Sequence, residues 1–206
     1  MTRTMKHSSA LAFAIALMAI AAPIPVHAAD AYRISGGEVT VSCPLTVGGS
    51  FEAKTKNLSG DVAPIGGQAG AVQGTLRVEL QTLETGIAMR DRHMKNNYLE
   101  VEKGPTFSTA SFDDIRVEKL DGKTVFSGIL TLHGQRKKVS GAAELQQRDG
   151  RIRVQAQFAL KVSDFEIAKP SYLGVGVRDE IHIKVSMTAV AVPSTATPVA
   201  TTAQSR

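Results

Sequence analysis

The chain alternates most strictly between residues 151 and 162. Ile152, Val154, Ala156, Phe158, Leu160 and Val162 fall on one face, with Arg151, Arg153, Gln155, Gln157 and Lys161 on the other. Side chains alternate across a strand, so this segment reads as a long strand with one dry and one wet face. Residues 180–188 repeat the pattern, with Ile181, Ile183, Val185 and Met187 opposite Glu180, His182, Lys184 and Ser186. Shorter alternations place Leu76, Val78 and Leu80 together, then Phe126, Gly128, Leu130 and Leu132, then Val139, Gly141, Ala143 and Leu145. Residues 38–43 and 49–62 add strands near the N-terminus, and Ile115 with Val117 marks a short one. Asp121-Gly122 and Asp149-Gly150 are hairpin signals because both favour positive φ. His133-Gly134-Gln135 separates two further strands, and Gly66-Gly67 with Gly70 marks a longer loop.

One segment departs from period two. Residues 88–99 contain good helix formers, and Met89, His93 and Asn97 share a face at spacing of four. Asp91 and Lys95 are placed to pair across a turn. A short helical segment is expected there, ending before Gly104-Pro105.

The dry faces must meet something. Two packed sheets satisfy this, and so does one sheet closed on itself, which also removes exposed edges. About eight strands is the size at which a barrel interior either fills with side chains or holds one small ligand. Gly128, Gly141, Ala143 and Ala156 lie on the dry faces. They leave room for a ligand, or they fit the taper of a packed barrel, and alternation alone leaves both open.

The two ends and the composition set the context. Arg3 and Lys6 precede an apolar stretch from Leu11 to Ala22, and Val26-His27-Ala28 has the small residues of a cleavage site. This order predicts a secretory leader at 1–28 and an exported protein, and the stretch is too short for a membrane span. A domain is expected over 29–191, and a tail of Thr, Ala, Pro and Ser over 192–206 lacks the apolar content to fold. Removing the leader lowers the net charge from +5 to +3, too mild and too dispersed for nucleic-acid binding. No stable membrane insertion is expected. Cys43 is the single cysteine, so no intrachain disulfide forms, and it reads as a small apolar residue beside Pro44. Exposed edges or Cys43 leave a homodimer open.

Catalytic and metal signatures are sparse. After residue 28 the histidines are His93, His133 and His182, none with a close second ligand in sequence. There is no H-E-x-x-H, C-x-x-C or G-x-S-x-G. Asp91 and His93 are two apart and do not face each other on a helix, so His93 reads as a residue that caps or orients the segment. No metal, cofactor or enzyme activity is expected.

Several motifs, in order, resemble the YceI-like family. Thr85-Gly86-Ile87-Ala88-Met89-Arg90-Asp91-Arg92-His93-Met94 looks like its T-x(4)-R-D-x-H-[LM] motif, and Tyr98-Leu99 and Pro105 follow. Gly128-Ile129-Leu130-Thr131-Leu132-His133-Gly134 with Lys138-Val139 resembles its G-x-L-T-L-x-G hairpin. Asp164-Phe165-Glu166-Ile167, Gly174-Val175-Gly176 and Asp179-Glu180-Ile181 resemble its closing segment. The resemblance spans about Tyr32 to Val190. It implies an all-β fold, an antiparallel lipocalin-like β-barrel of about eight strands with a short helical segment. It also implies a periplasmic location and binding of a polyisoprenoid or an isoprenoid quinone inside the barrel. Members commonly carry a His before the second strand; here that region reads Ser42-Cys43-Pro44-Leu45-Thr46-Val47.

Three functions follow as hypotheses. The first is an apolar-ligand binder or carrier with Phe51, Leu76, Val78, Leu80, Phe126, Leu130 and Phe158 in the wall, and Met94 and Leu99 closing one end. Arg90, Asp91 and His93 then fix the helical segment or meet a polar headgroup. The second is a stress or interaction protein with a filled barrel. The third is a small-molecule enzyme using His93 as base.

Overall fold

The computed structural model describes residues 31–192 except 67, 69 and 173. The expected leader and the tail beyond Val192 lie outside the described residues. Long strands form where apolar and polar positions alternate: β1 (Ala31–Ile34), β2 (Gly37–Pro44), β3 (Ser50–Thr55), β4 (Leu58–Pro64), β5 (Ala71–Glu79), β6 (Thr109–Val117), β7 (Gly122–Leu132), β8 (Gln135–Arg148) and β9 (Arg151–Lys161). A two-residue ribbon, β10 (Ser171–Tyr172) and β11 (Val175–Gly176), leads into β12 (Glu180–Val192).

All pairings are antiparallel, and the sheet closes on itself. β1 and β2 lie end to end along one edge of β12: Ala31 to Arg33 face Val192 to Val190, and Gly37 to Ser42 face Met187 to His182. β3 and β4 likewise lie end to end, β3 against β2 and β4 against β1. Each pair therefore acts as one broken strand. The ring then has eight staves, and sequence neighbours are spatial neighbours all the way round. This is the closed lipocalin-like barrel that the sequence resemblance implied. Closure leaves β3 as the remaining edge of this sheet among the described strands, its outer side met only by the isolated Lys54–Glu84 bridge.

The inward row of β7 shows how the sequence fills the wall. Thr124, Phe126, Gly128 and Leu130 are buried while Val125 is exposed. Phe126 sits opposite Gly141 on β8, whose other neighbour, β9, carries Phe158. β7 and β9 are two strand spacings apart, roughly 9–10 Å. Yet the rings of Phe126 and Phe158 meet edge to face at 5.9 Å between centroids, leaning over Gly141. A Cβ on Gly141 would stand 2.9 Å from Phe126 Cε1, 2.7 Å from Phe158 Cβ and 2.3 Å from the Gln157 carbonyl oxygen. Gly128 plays the same part for Phe112, whose Cζ would lie 2.4 Å from an added Cβ. The two glycines make room for aromatic rings, which resolves the earlier ambiguity at these positions in favour of packing.

One end of the barrel is covered by the insertion between β5 and β6. A 3-10 turn at Leu80–Thr82 leaves β5, followed by α1 (Ala88–His93), a π-helical turn at Met94–Tyr98, a 3-10 turn at Val101–Lys103 and α2 (Pro105–Ser108). The expected helix over 88–99 is thus split: after α1 the turn widens to π geometry, and the chain reverses at Glu100, whose φ is +51°. Leu80, Leu83 and Val101 bury themselves against Ala53, and Met94, Leu99 and Leu132 pack on that cluster. The lid is therefore seated on the barrel by its own apolar residues. The opposite end carries the β6–β7 and β8–β9 turns and the meeting of Ala31 with Val192.

Candidate functional site

The dry faces enclose a cavity of about 1060 Å³ that is almost wholly apolar. It runs from Tyr32 and Leu120 near the end without the lid to Met89, Arg90 and His93 on α1 of the lid. Its size lies at the top of the range for small-molecule pockets, roughly 300–1,000 Å³. The burial pattern agrees that the barrel is hollow. On β9 the outward residues are exposed, yet the inward Ile152, Val154, Ala156 and Phe158 are only half-buried. These four also line the cavity, so the surface they keep faces the interior space.

Phe51, Leu76, Val78, Leu80, Met94, Leu99, Phe126, Leu130 and Phe158 all stand in the cavity wall. The strands set the period-two placement, Leu80 stands on the 3-10 turn that leaves β5, and Met94 and Leu99 line the interior from the start of the π turn and the residue after it. The three residues singled out on the helical segment separate. Arg90 and His93 line the mouth. Asp91 does not; its Oδ1 accepts hydrogen bonds from Thr85 N at 2.7 Å and Thr85 Oγ1 at 2.6 Å. Burial alone would push the Asp91 carboxyl up, but these bonds, with Lys95 and Arg90 nearby, hold it below its ordinary range.

Two expectations are corrected here. Asp91 does not form the expected turn-spanning ion pair with Lys95, because Thr85 takes its carboxylate. His93 does not cap the helix; it makes no hydrogen bond among the described residues and faces the cavity mouth instead.

Sequence reasoning missed part of the mouth. The Arg90 guanidinium lies 4.3 Å from the centre of the Phe51 ring, a cation–π contact between lid and β3. Cys43 faces Phe51 across the β2–β3 pair and lines the cavity, where burial pushes its thiol up to about 11 despite the neighbouring Arg90. Ile87, Met89 and Asn97 also reach the mouth. The alternation of Val39, Val41 and Cys43 could have found Cys43. Nothing in the period pattern could have found Ile87, which leads into the lid.

His133, read as a turn residue, is one: its φ is +50°. Its ring does more than turn the chain. Nδ1 donates to the Phe165 carbonyl oxygen at 3.0 Å, Nε2 lies 3.1 Å from Glu100 Oε2, and the Phe107 ring meets it edge to face at 4.8 Å. This pins the lid's reversal at Glu100 to the β7–β8 turn. Among the described residues, no three His, Cys, Asp or Glu side chains gather as metal ligands.

A closed antiparallel barrel around one long apolar cavity, with a helical lid over one mouth, defines a lipocalin-like class of protein. Within that class the chain belongs to the YceI-like domain family, whose model matches residues 32–189. It is 32% identical over 142 residues to a UPF0312 protein of Vibrio vulnificus strain YJ016, covering 66% of this chain and 72% of that one. BcnA of Burkholderia cenocepacia is similar in structure, with a TM-score of 0.62 at 18% identity over 75% of this chain and 96% of that chain. A polyisoprenoid binding domain from Saccharophagus degradans, described as implicated in plant cell wall breakdown, has a TM-score of 0.61 at 17% identity, covering 79% and 99% of the two chains. At these identities the structural matches carry the fold.

Proposed function

We propose that the protein is a non-catalytic, exported binder or carrier of one long apolar molecule, a polyisoprenoid, an isoprenoid quinone or a similar lipid, threaded along the barrel axis. The observation that carries this is the continuous apolar cavity of about 1060 Å³ running from Leu120 to the lid. Each methylene moved from water into such a wall contributes about 0.8 kcal/mol, so a long tail binds tightly with few polar contacts. In this reading the nine wall residues touch the tail, and Arg90 and His93 meet the polar end at the mouth. Asp91 fixes the segment that carries them. The polyisoprenoid-binding neighbour supports the ligand class, and the predicted leader supports export to the periplasm. No helix among the described residues is long and apolar enough to cross a membrane.

The test is native mass spectrometry of the delipidated, refolded chain titrated with a long polyprenol, against the same protein with a short polar alcohol. A one-to-one adduct with the polyprenol is expected. A bare apo mass at every polyprenol concentration sinks the proposal and returns the filled-barrel reading. The enzyme reading is disfavoured because, among the described residues, His93 makes no hydrogen bond to an acid or nucleophile.

A further inference from the structure

The lidded mouth carries apolar side chains that nothing among the described residues covers. Val47 is 68% exposed, Met89 67%, Ile87 50% and Val175 37%. They come from three separate segments, yet backbone contacts hold those segments together. Thr46 N donates to the Gly176 carbonyl oxygen at 2.8 Å, and Gly176 N donates to Thr46 Oγ1 at 3.0 Å, which joins the Val47 turn to the Val175 ribbon. Lys54 bridges Glu84 at the root of the lid, and Arg90 packs on Phe51. Ile87, Met89 and Val175 also line the cavity, so they form its lip.

Cations are set among these tips. Met89 and Arg92 are neighbours at i, i+3 on α1, both exposed. Arg178 Nε donates to the Leu45 carbonyl oxygen at 3.2 Å, which places a guanidinium beside the Val47 turn. Arg90 stands at the mouth itself. Two nearby carboxylates are tied down: Asp91 by Thr85, and Asp179 by Ser163. Glu84 at the root of the lid, Glu102 in the lid and Glu180 at the start of β12 are exposed acids at this end.

We propose that this lip docks on the surface of an anionic lipid bilayer. The apolar tips enter the boundary between headgroups and acyl chains while Arg92, Arg178 and Arg90 meet lipid phosphates. The cavity mouth then opens onto the bilayer, so an apolar ligand passes between the two without crossing water. That last clause rests on the ligand reading above; the docking does not. A second copy is a poorer occupant, because a two-fold contact brings each patch against its own likeness and sets the arginines against arginines.

The test is flotation of the full chain with phosphatidylcholine vesicles, with and without phosphatidylglycerol. Flotation is expected only with the anionic lipid, and raised salt should release the protein. Val47→Asp should abolish flotation, and Arg92→Gln should lower the partition coefficient about fivefold. Neither residue lines the cavity. Both variants should therefore keep the wild-type circular dichroism and the wild-type binding of a fluorescent fatty-acid probe in buffer. Wild-type protein that ignores anionic vesicles overturns the proposal, as does Val47→Asp floating unchanged. A dimer that does not float and that Val47→Asp splits also overturns it, in favour of a second copy. Wild-type protein that floats yet forms no polyprenol adduct in native mass spectrometry supports docking and sinks the ligand reading instead.

Discussion

Replacing Gly141 by alanine tests whether the aromatic wall is packed or loose. The new Cβ would lie 2.3 Å from the Gln157 carbonyl oxygen, 2.7 Å from Phe158 Cβ and 2.9 Å from Phe126 Cε1. The nearest two atoms are backbone or the first carbon of a side chain, so no rotamer change relieves them. Relief requires β8 to move away from β9, across a pairing that runs from Ala142 to Arg148. Overpacking of this kind costs about 1–3 kcal/mol. Against it stands a gain of about 0.4–1 kcal/mol, because alanine restricts the unfolded chain more than glycine does. The net expectation is a loss of about 1–2 kcal/mol. The chain has no tryptophan, so urea unfolding is followed by far-UV circular dichroism. With a slope of about 2 kcal/mol per molar urea, the midpoint should fall by roughly 0.5–1 M. Adding Phe126→Leu removes the contact at 2.9 Å but not the one to Gln157, so the double variant should recover only part of the loss. A midpoint that stays or rises in Gly141→Ala would refute the idea that this glycine exists to admit the two rings.

Three further outcomes follow from the mouth and lid. Cys43 should resist Ellman's reagent at mild alkaline pH and react on unfolding. Its thiol is raised from 9.0 to about 11 in the folded protein. The unfolded chain therefore releases this proton first, and stability present below pH 9.0 is lost on the order of 2 kcal/mol as pH rises toward 11. Cys43→Ala should flatten that segment of the stability–pH curve, and an identical curve would count against the buried thiol. Asp91→Ala removes both Thr85 hydrogen bonds and should destabilise the lid by about 1–2 kcal/mol, read as faster proteolysis between residues 85 and 99. Because the Asp91 pKa is lowered on folding, its contribution is present above the ordinary carboxylate range and fades as pH falls through the folded value. His133→Ala removes a donor to Phe165 and the Glu100 contact, and should cost about 2–3 kcal/mol by urea unfolding. A change under about 0.5 kcal/mol would mean the lid is anchored by its apolar cluster alone.

The alternation of residues 151–162 and 180–188 by itself determined the long strands, which residues face inward and which face water. It did so because the pleat gives every strand a period of two, whatever its neighbours are. The helix formers of residues 88–99 marked the segment that covers one end of the barrel, and several motifs taken in order pointed to the family. Other features needed the tertiary structure. β1 is four residues long and carries too few alternations to read; it exists because β12 and β4 flank it. Gly128 and Gly141 could mean space or packing until their neighbours across the sheet proved to be phenylalanines. Asp91 exchanged the expected Lys95 for Thr85, six residues back, because the loop before α1 folds over its carboxylate. Above all, a dry face has the same sequence whether it meets other side chains or a void. Only the closure of β12 onto β1, which sets the ring at eight staves, fixes the interior at a width its own side chains do not fill.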